Sequence, residues 1–354
     1  MRLTRRRLLQ SVPALVFAPM APRVFAQAAA GAIRVTGINH VTLSVSDVKR
    51  SVDFYQGLFG MPVVSRQGAT ANLQIGTGPQ FLGISAAGTA TPNINHICLG
   101  VEAFNVDRLT AILGQHGITR TDEAGNAGGG GLGGGPLKMR VRVRGPETGG
   151  AREGTPELYF SDPDGVVVQL QDPRYCGGSG PLGNVCPPLE ASPKKGLFAL
   201  RGWSHCTIFG SDGARANAFY QDLFGFRIQA YQGPGAPVLG VGGVGGVQFL
   251  MFAGAGARGR GNVPASINHL CMNMDGFNPE AVIRTLESYG IKPRATAAGP
   301  AGPLVHYISM RMENRGGARE GTPELYFTDP DGLLIQLQDV KYCGGAGVLG
   351  DVCQ

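Results

Sequence analysis

The chain has 354 residues, of which 43% are hydrophobic and 16% charged, with a formal net charge of +6. That length suits two domains of ordinary size, each with its own core. Arg2, Arg5, Arg6, Arg7 and Arg23 lie in a leading stretch without acids and account for five of those units, so the remainder carries about +1. A near-neutral body with no Lys/Arg stripe interleaved with aromatics excludes the electrostatic footprint of a nucleic-acid binder.

The first residues belong to neither domain. Arg5-Arg6-Arg7 precedes an apolar run from Leu8 to Pro19 and small residues around Ala26 to Ala30. This resembles a Tat-type signal peptide over residues 1–30, and it implies a periplasmic or secreted protein. The apolar run is too short to span a bilayer, so no membrane association is expected once the signal is cleaved.

From Gly37 the pattern alternates polar and apolar through Asn39, His40, Val41, Thr42, Leu43, Ser44 and Val45, and ends at Asp47. Asp47 is a helix cap, and Val48 to Phe59 carries apolar residues at helical spacing before Gly60. Strands are expected near 61–66, 70–75 and 79–85, which completes a βαβββ unit. A second unit opens at Asn93-Ile94-Asn95-His96-Ile97-Cys98, with its helix at about 104–116. The glycine-rich run 125–135 reads as a mobile loop; it has no phosphate-loop lysine.

The second unit closes in GGAREGTPELYFSDPDG at 149–165, and the same words return at 316–332 with one change. The chain is therefore a tandem duplication. In each copy an alternating strand, an Asp-Pro-Asp-Gly turn and a β-branched or leucine-rich strand form a hairpin. If Tyr159 lies opposite Gln169, then Glu157, Tyr159, Gln169 and Gln171 share one face. The second half repeats the order, with first strands at Trp203-Ser204-His205-Cys206 and Ile267-Asn268-His269-Leu270-Cys271 and a last helix near 278–289. Domains are expected at 36–186 and 200–354, joined by a Pro, Ser and Lys-rich linker at 187–199.

Cys176 and Cys186, and Cys343 and Cys353, are spaced ten apart behind Tyr-Cys-Gly-Gly. In an oxidising compartment they read as two local disulfides, with crossed pairings left open, each worth on the order of 3 kcal/mol. Cys98, Cys206 and Cys271 read as buried thiols. A thiol beside a histidine is a ligand for a soft metal or simply a packing residue, and packing is favoured.

Each unit opens with a histidine-centred strand: His40 and His96, then His205 and His269, four of the six histidines in the chain. Two histidines and Gln169 in one domain, or Gln336 in the other, have the composition of a facial metal site with open positions. His116 and His306 have no counterparts and are excluded from the sites. Asp162, Asp164, Asp329 and Asp331 read as turn formers.

The motifs Asn-His-Val-Thr-Leu-Ser-Val-Ser-Asp, Phe-Tyr-Gln-Gly-Leu-Phe-Gly-Met and Asp-Pro-Asp-Gly resemble those of the vicinal oxygen chelate superfamily, which holds glyoxalase I, bleomycin-resistance proteins and type I extradiol dioxygenases. The resemblance covers about 36–345 and implies an α+β fold of two tandem domains, each a pair of βαβββ units forming a half-open mixed β-barrel. Four units in one chain are most similar to the extradiol dioxygenases, whose signature matches from Leu158 to Gly165 and from Leu325 to Gly332. The signature's metal-binding Glu is Gln169 and Gln336 here, and its histidine is Arg152 and Arg319.

The resemblance implies a divalent metal, Fe2+ first and then Mn2+, Zn2+ or Cu2+, chelating a small catechol-like or keto/hydroxy substrate. Arg152 or Arg319 would hold an oxyanion, Tyr159 or Tyr326 would donate a hydrogen bond, and Glu157 or Glu324 would act as base. The alternatives are a non-catalytic binder of bleomycin-resistance type and a glyoxalase-type lyase or isomerase. The last is weakened because the strand expected to carry a further carboxylate ligand reads Gln80-Phe81-Leu82 and Gln248-Phe249-Leu250. A small molecule is the expected partner, and a homodimer stays open.

Overall fold

The computed structural model describes residues 31–122, 132, 135–243, 245–254, 264–297 and 301–354. The expected signal peptide, residues 1–30, and most of the glycine-rich run 125–135 lie outside the described residues. Among the described residues eighteen strands form two nine-stranded mixed sheets, one in each half of the chain, accompanied by four α-helices.

The first sheet is built from β1 (Val35–Val45), β2 (Val63–Gln67), β3 (Thr70–Gln74), β4 (Phe81–Ala86), β5 (Asn93–Val101), β6 (Thr119–Arg120), β7 (Lys138–Arg144), β8 (Thr155–Ser161) and β9 (Val167–Gln171). Their order is β2-β3-β4-β1-β5-β9-β8-β7-β6. The second sheet repeats that order with β10 (Leu200–Phe209), β11 (Arg227–Tyr231), β12 (Pro237–Gly240), β13 (Phe249–Ala253), β14 (Ser266–Met274), β15 (Lys292–Pro293), β16 (Val305–Arg311), β17 (Thr322–Thr328) and β18 (Leu334–Asp339). The expected units are present, with one addition: β6 and β15 are two-residue strands at the sheet edge after the second helix of each domain.

Helix α1 (Val48–Phe59) starts where the Asp47 carboxylate accepts from the Arg50 amide and stops at Gly60, whose φ of 65° is left-handed. It buries Phe54, Tyr55, Leu58 and Phe59, and each such side chain contributes roughly 1.5–3 kcal/mol by leaving water. Helix α3 (Gly213–Phe224) repeats the device with Asp212 and Gly225. Helices α2 (Val106–Gln115) and α4 (Pro279–Ser288) are capped by Asn105 and Asn278. No helix among the described residues is long and apolar enough to cross a membrane.

The halves hold each other through paired contacts. The Gln80 side chain donates to the Ile38 carbonyl and accepts from the Trp203 amide, while Gln248 donates to the Trp203 carbonyl and accepts from the Ile38 amide. These bonds fix β1 and β10 two residues before His40 and His205. The Asp-Pro-Asp-Gly turns also do more than turn. Asp329 accepts from Tyr55 and Asp331 from Arg50 and the Ser46 amide; Asp162 accepts from Tyr220 and Asp164 from Arg215 and Ser211. Each turn thus clasps the first helix of the other domain. Both disulfides take the local pairing, Cys176–Cys186 and Cys343–Cys353.

Candidate functional site

The register across the first sheet places six side chains in one transverse row. Phe81 pairs with His40, His40 with Cys98, Cys98 with Gln169, Gln169 with Tyr159, and Tyr159 with Arg140. Residues paired directly across strands point to the same face, so the row lies along the hollow of the sheet. The second sheet repeats it as Phe249, His205, Cys271, Gln336, Tyr326 and Tyr307. His96 and His269 stand two residues before Cys98 and Cys271, on the same face.

Curvature brings the histidines together. In the first domain His40 Nε2 lies 3.3 Å from His96 Nε2 and 3.1 Å from Gln169 Oε1. In the second, His205 Nε2 lies 3.3 Å from His269 Nε2 and 3.0 Å from Gln336 Oε1. Six residues named from the sequence therefore meet as two sets of three.

The ring nitrogens facing away decide what those atoms are. His40 Nδ1 is 2.8 Å from Asn39 Oδ1, and the Asn39 amide nitrogen donates to the Tyr175 carbonyl at 2.9 Å, which turns its oxygen toward the imidazole. Nδ1 is then the protonated nitrogen and Nε2 carries a lone pair. Asn95 holds His96 at 2.8 Å, Asn268 holds His269 at 2.9 Å, and Ser204 holds His205 at 3.1 Å. Burial, then the neighbouring His96, keeps His40 well below the usual histidine range. Burial lowers His96 to about 4. His205 is also lowered, by burial and then by His269.

In the first domain three acceptors thus converge, the second domain brings the same atoms together, and the buried Nε2 of Gln169 and of Gln336 has no hydrogen-bond partner among the described residues. A cation would satisfy the converging lone pairs, though not the glutamine N–H. Ligands about 2.1 Å from a metal at right angles stand about 3 Å apart, close to the spacings here. The donor set is two imidazoles and an amide: among the described residues no three His, Cys, Asp or Glu side chains come together in a metal-binding group. The residues present fit a divalent metal with open positions. Burial pushes the Cys98 and Cys271 thiols up.

Two expected roles need correction. Glu157 is fully buried and bound to Arg144 at 2.7 Å, and it accepts from Tyr175 at 2.6 Å and Tyr159 at 3.1 Å. Glu324 has the same partners in Arg311, Tyr342 and Tyr326. A carboxylate paired with a buried guanidinium is a brace and a poor base. Arg152 and Arg319 are exposed in the turns before β8 and β17, where the chain is still outside the sheet. Arg319 does not line the second domain's cavity.

Arg144 and Arg311 are the buried arginines that hold these carboxylates, and sequence reasoning missed them. So it did Tyr175 and Tyr342, whose rings lie 5.5 and 5.6 Å from His40 and His205, and Phe81 and Phe249, stacked on the same imidazoles at 4.2 Å. The available signal was their recurrence in both copies at matching distance from the hairpin. The disulfide tails belong to this brace, since Arg144 also donates to the Gly178 carbonyl at 2.7 Å and Arg311 to that of Gly345 at 2.9 Å.

The second centre opens into a cavity of about 400 Å³ lined by His205, His269, Gln336, Tyr307, Tyr326 and Arg315, among others. That volume suits a small ring compound.

With this geometry, the chain belongs to the Glyoxalase/Bleomycin resistance protein/Dioxygenase superfamily, whose family model matches residues 37–170 and 202–337. No curated protein matches it. Among solved structures it is similar to the Mn(II)-bound glyoxalase from Novosphingobium aromaticivorans, at 16% identity and TM-score 0.55, over 87% of this chain and 83% of that one. A catechol 2,3-dioxygenase is 18% identical with TM-score 0.53 over 89% of each chain. The homoprotocatechuate 2,3-dioxygenase from Arthrobacter globiformis is 16% identical with TM-score 0.57, over 87% of this chain and 81% of that one. At these identities the likeness is one of fold.

Proposed function

We infer that the protein is an exported, metal-dependent enzyme of extradiol-dioxygenase type, with a divalent metal at His40, His96 and Gln169, at His205, His269 and Gln336, or at both. The observation that carries this is the convergence, twice, of two imidazole nitrogens and an amide oxygen. When bound, such a metal accepts two vicinal oxygens of a substrate and lowers the pKa of their hydroxyls. Fe2+ is the first choice for ring-cleavage chemistry, ahead of Mn2+, Zn2+ and Cu2+.

The chain's own groups supply the rest. Tyr326 stands edge-on to His269 at 5.3 Å and lines the cavity, and its hydroxyl donates to Glu324 at 3.4 Å. It is placed to bond a ligand oxygen. Tyr159 holds the same place beside His96 at 5.4 Å. Phe249 and Tyr342 wall His205 and limit water. The two disulfides suit a periplasmic or secreted protein.

One observation favours a second reading, a non-catalytic binder: both candidate bases are committed to buried arginines. Elemental analysis of protein purified without chelator or His-tag separates the two. The metal reading expects stoichiometric metal that falls by one equivalent with His40→Ala/His96→Ala or with His205→Ala/His269→Ala. Protein that is metal-free and takes up no added metal would be the binder.

A further inference from the structure

The matched rows differ in chemistry at one end, where β7 brings Arg140 and β16 brings Tyr307. The next pairs continue the difference: Arg142 lies opposite Glu157, and Ser309 opposite Glu324. Arg140, Arg142 and Arg144 alternate along β7 and so share the face that holds Tyr159 and Glu157. The Arg142 guanidinium is 3.8 Å from Glu157 Oε2 and the Arg144 guanidinium 2.7 Å from Oε1, which confirms that direction. The equivalent Tyr307 lines the second cavity and stacks on Tyr326 at 5.1 Å.

Along β7 three guanidinium groups thus share a face with one carboxylate, whereas β16 sets only Arg311 against Glu324. The cation that lines the second cavity, Arg315, comes from the turn after β16, where the first domain has Thr148. Arg294 packs over the ring of Tyr307 at 5.1 Å.

We propose that the two centres take different ligands: the first binds a compound bearing an anionic group, which Arg140 and Arg142 recognise, and the second, with Tyr307 and Ser309 at those positions, favours such a group less. This rests on the reading of both centres as ligand sites. Guanidinium groups on neighbouring same-face positions give a carboxylate charge-assisted bonds, and Tyr307 and Ser309 offer no such charge. The excess positive charge also raises the local concentration of anions.

Calorimetric titration of the full mature chain with 3,4-dihydroxybenzoate and 3,4-dihydroxybenzamide tests this, because the two probes differ only in charge. With the second centre disabled by His205→Ala/His269→Ala, the benzoate should bind about tenfold more tightly than the amide at low salt, a preference that shrinks as salt rises. Arg140→Gln/Arg142→Gln should abolish the preference. With the first centre disabled by His40→Ala/His96→Ala, the preference should be smaller, and Tyr307→Arg/Ser309→Arg should create it there.

A ratio near one at the first centre, a ratio that survives Arg140→Gln/Arg142→Gln, equal ratios at both centres, or no binding of the benzoate at the first centre would each overturn the proposal. Repeating the titrations after metal removal separates it from the chelation reading. Chelation predicts that both probes weaken together with their ratio kept; if neither probe responds to metal, chelation fails while the ratio still decides the arginines.

Discussion

The two centres agree where a metal would sit and differ where a ligand would lie. His40, His96 and Gln169 match His205, His269 and Gln336 to within a tenth of an ångström in their mutual distances. The brace of Arg144, Glu157 and Tyr175 matches that of Arg311, Glu324 and Tyr342. The walls do not match: Arg140 faces Tyr307, Arg142 faces Ser309, and Gly83 beside Thr42 faces Met251 beside Thr207. A Cβ on Gly83 would come within 2.7 Å of the Thr42 hydroxyl, so the first wall is closed to a larger side chain where the second admits methionine. The difference teaches that the ligand set and its brace are one structural unit, while the walls around it vary separately.

The largest effect that probes this comparison comes from the brace. Replacing Arg311 with Leu leaves Glu324 buried and unpaired, at a cost of about 3–5 kcal/mol. Arg144→Leu should cost less, by about 1 kcal/mol, because Arg142 stands ready to share the Glu157 charge, as a partly screened surface pair would. Denaturant unfolding of the two variants measures the gap. Equal losses would mean that Arg142 does not feel Glu157, and they would weaken the case for a cationic face in the first domain.

The brace is also where sequence reading stopped. The hairpin was legible because alternation and an Asp-Pro-Asp-Gly turn leave one register, and the structure pairs Tyr159 with Gln169 as that register requires. Histidines at strand centres were legible because four recur in equivalent places. Arg144 was not, since its partner lies on the next strand and nothing in the local pattern says that β7 joins that edge of β8. The second duty of Asp164 and Asp331 was hidden for a related reason: local turn chemistry explains both residues fully, and only the docking of the halves brings Arg215 and Arg50 to them. Arg152 was misplaced by following a motif position, when the chain there is still in an exposed turn.

An intermediate effect is expected at the amide ligand. Gln169→Glu and Gln336→Glu each put a carboxylate beside two neutral imidazoles and remove a buried N–H that has no partner. Each should tighten divalent metal by about tenfold or more, read by competition with a chromogenic chelator. The gain should be the same at both centres, because the row is shared from the histidines out to the tyrosine. A smaller gain at the first centre would show that Arg140 and Arg142 repel the metal itself as well as selecting its ligand.

The smallest effect lies in the one difference behind the ligands. Asn39 holds His40 through an oxygen that can only accept, and its own amide is pinned by the Tyr175 carbonyl. Ser204 holds His205 through a hydroxyl that can either accept or donate, so it leaves the tautomer less firmly set. An imidazole fixed with Nδ1 protonated presents a better lone pair at Nε2, and such outer partners change metal affinity by roughly 10–100-fold when lost. Exchanging one partner for a weaker one should stay near the low end: Asn39→Ser should loosen the first centre by up to about tenfold, and Ser204→Asn should tighten the second by a similar factor. The same competition assay reads both. If Ser204→Asn leaves affinity unchanged, the hydroxyl already fixes the tautomer, and the centres are equivalent in everything except their walls.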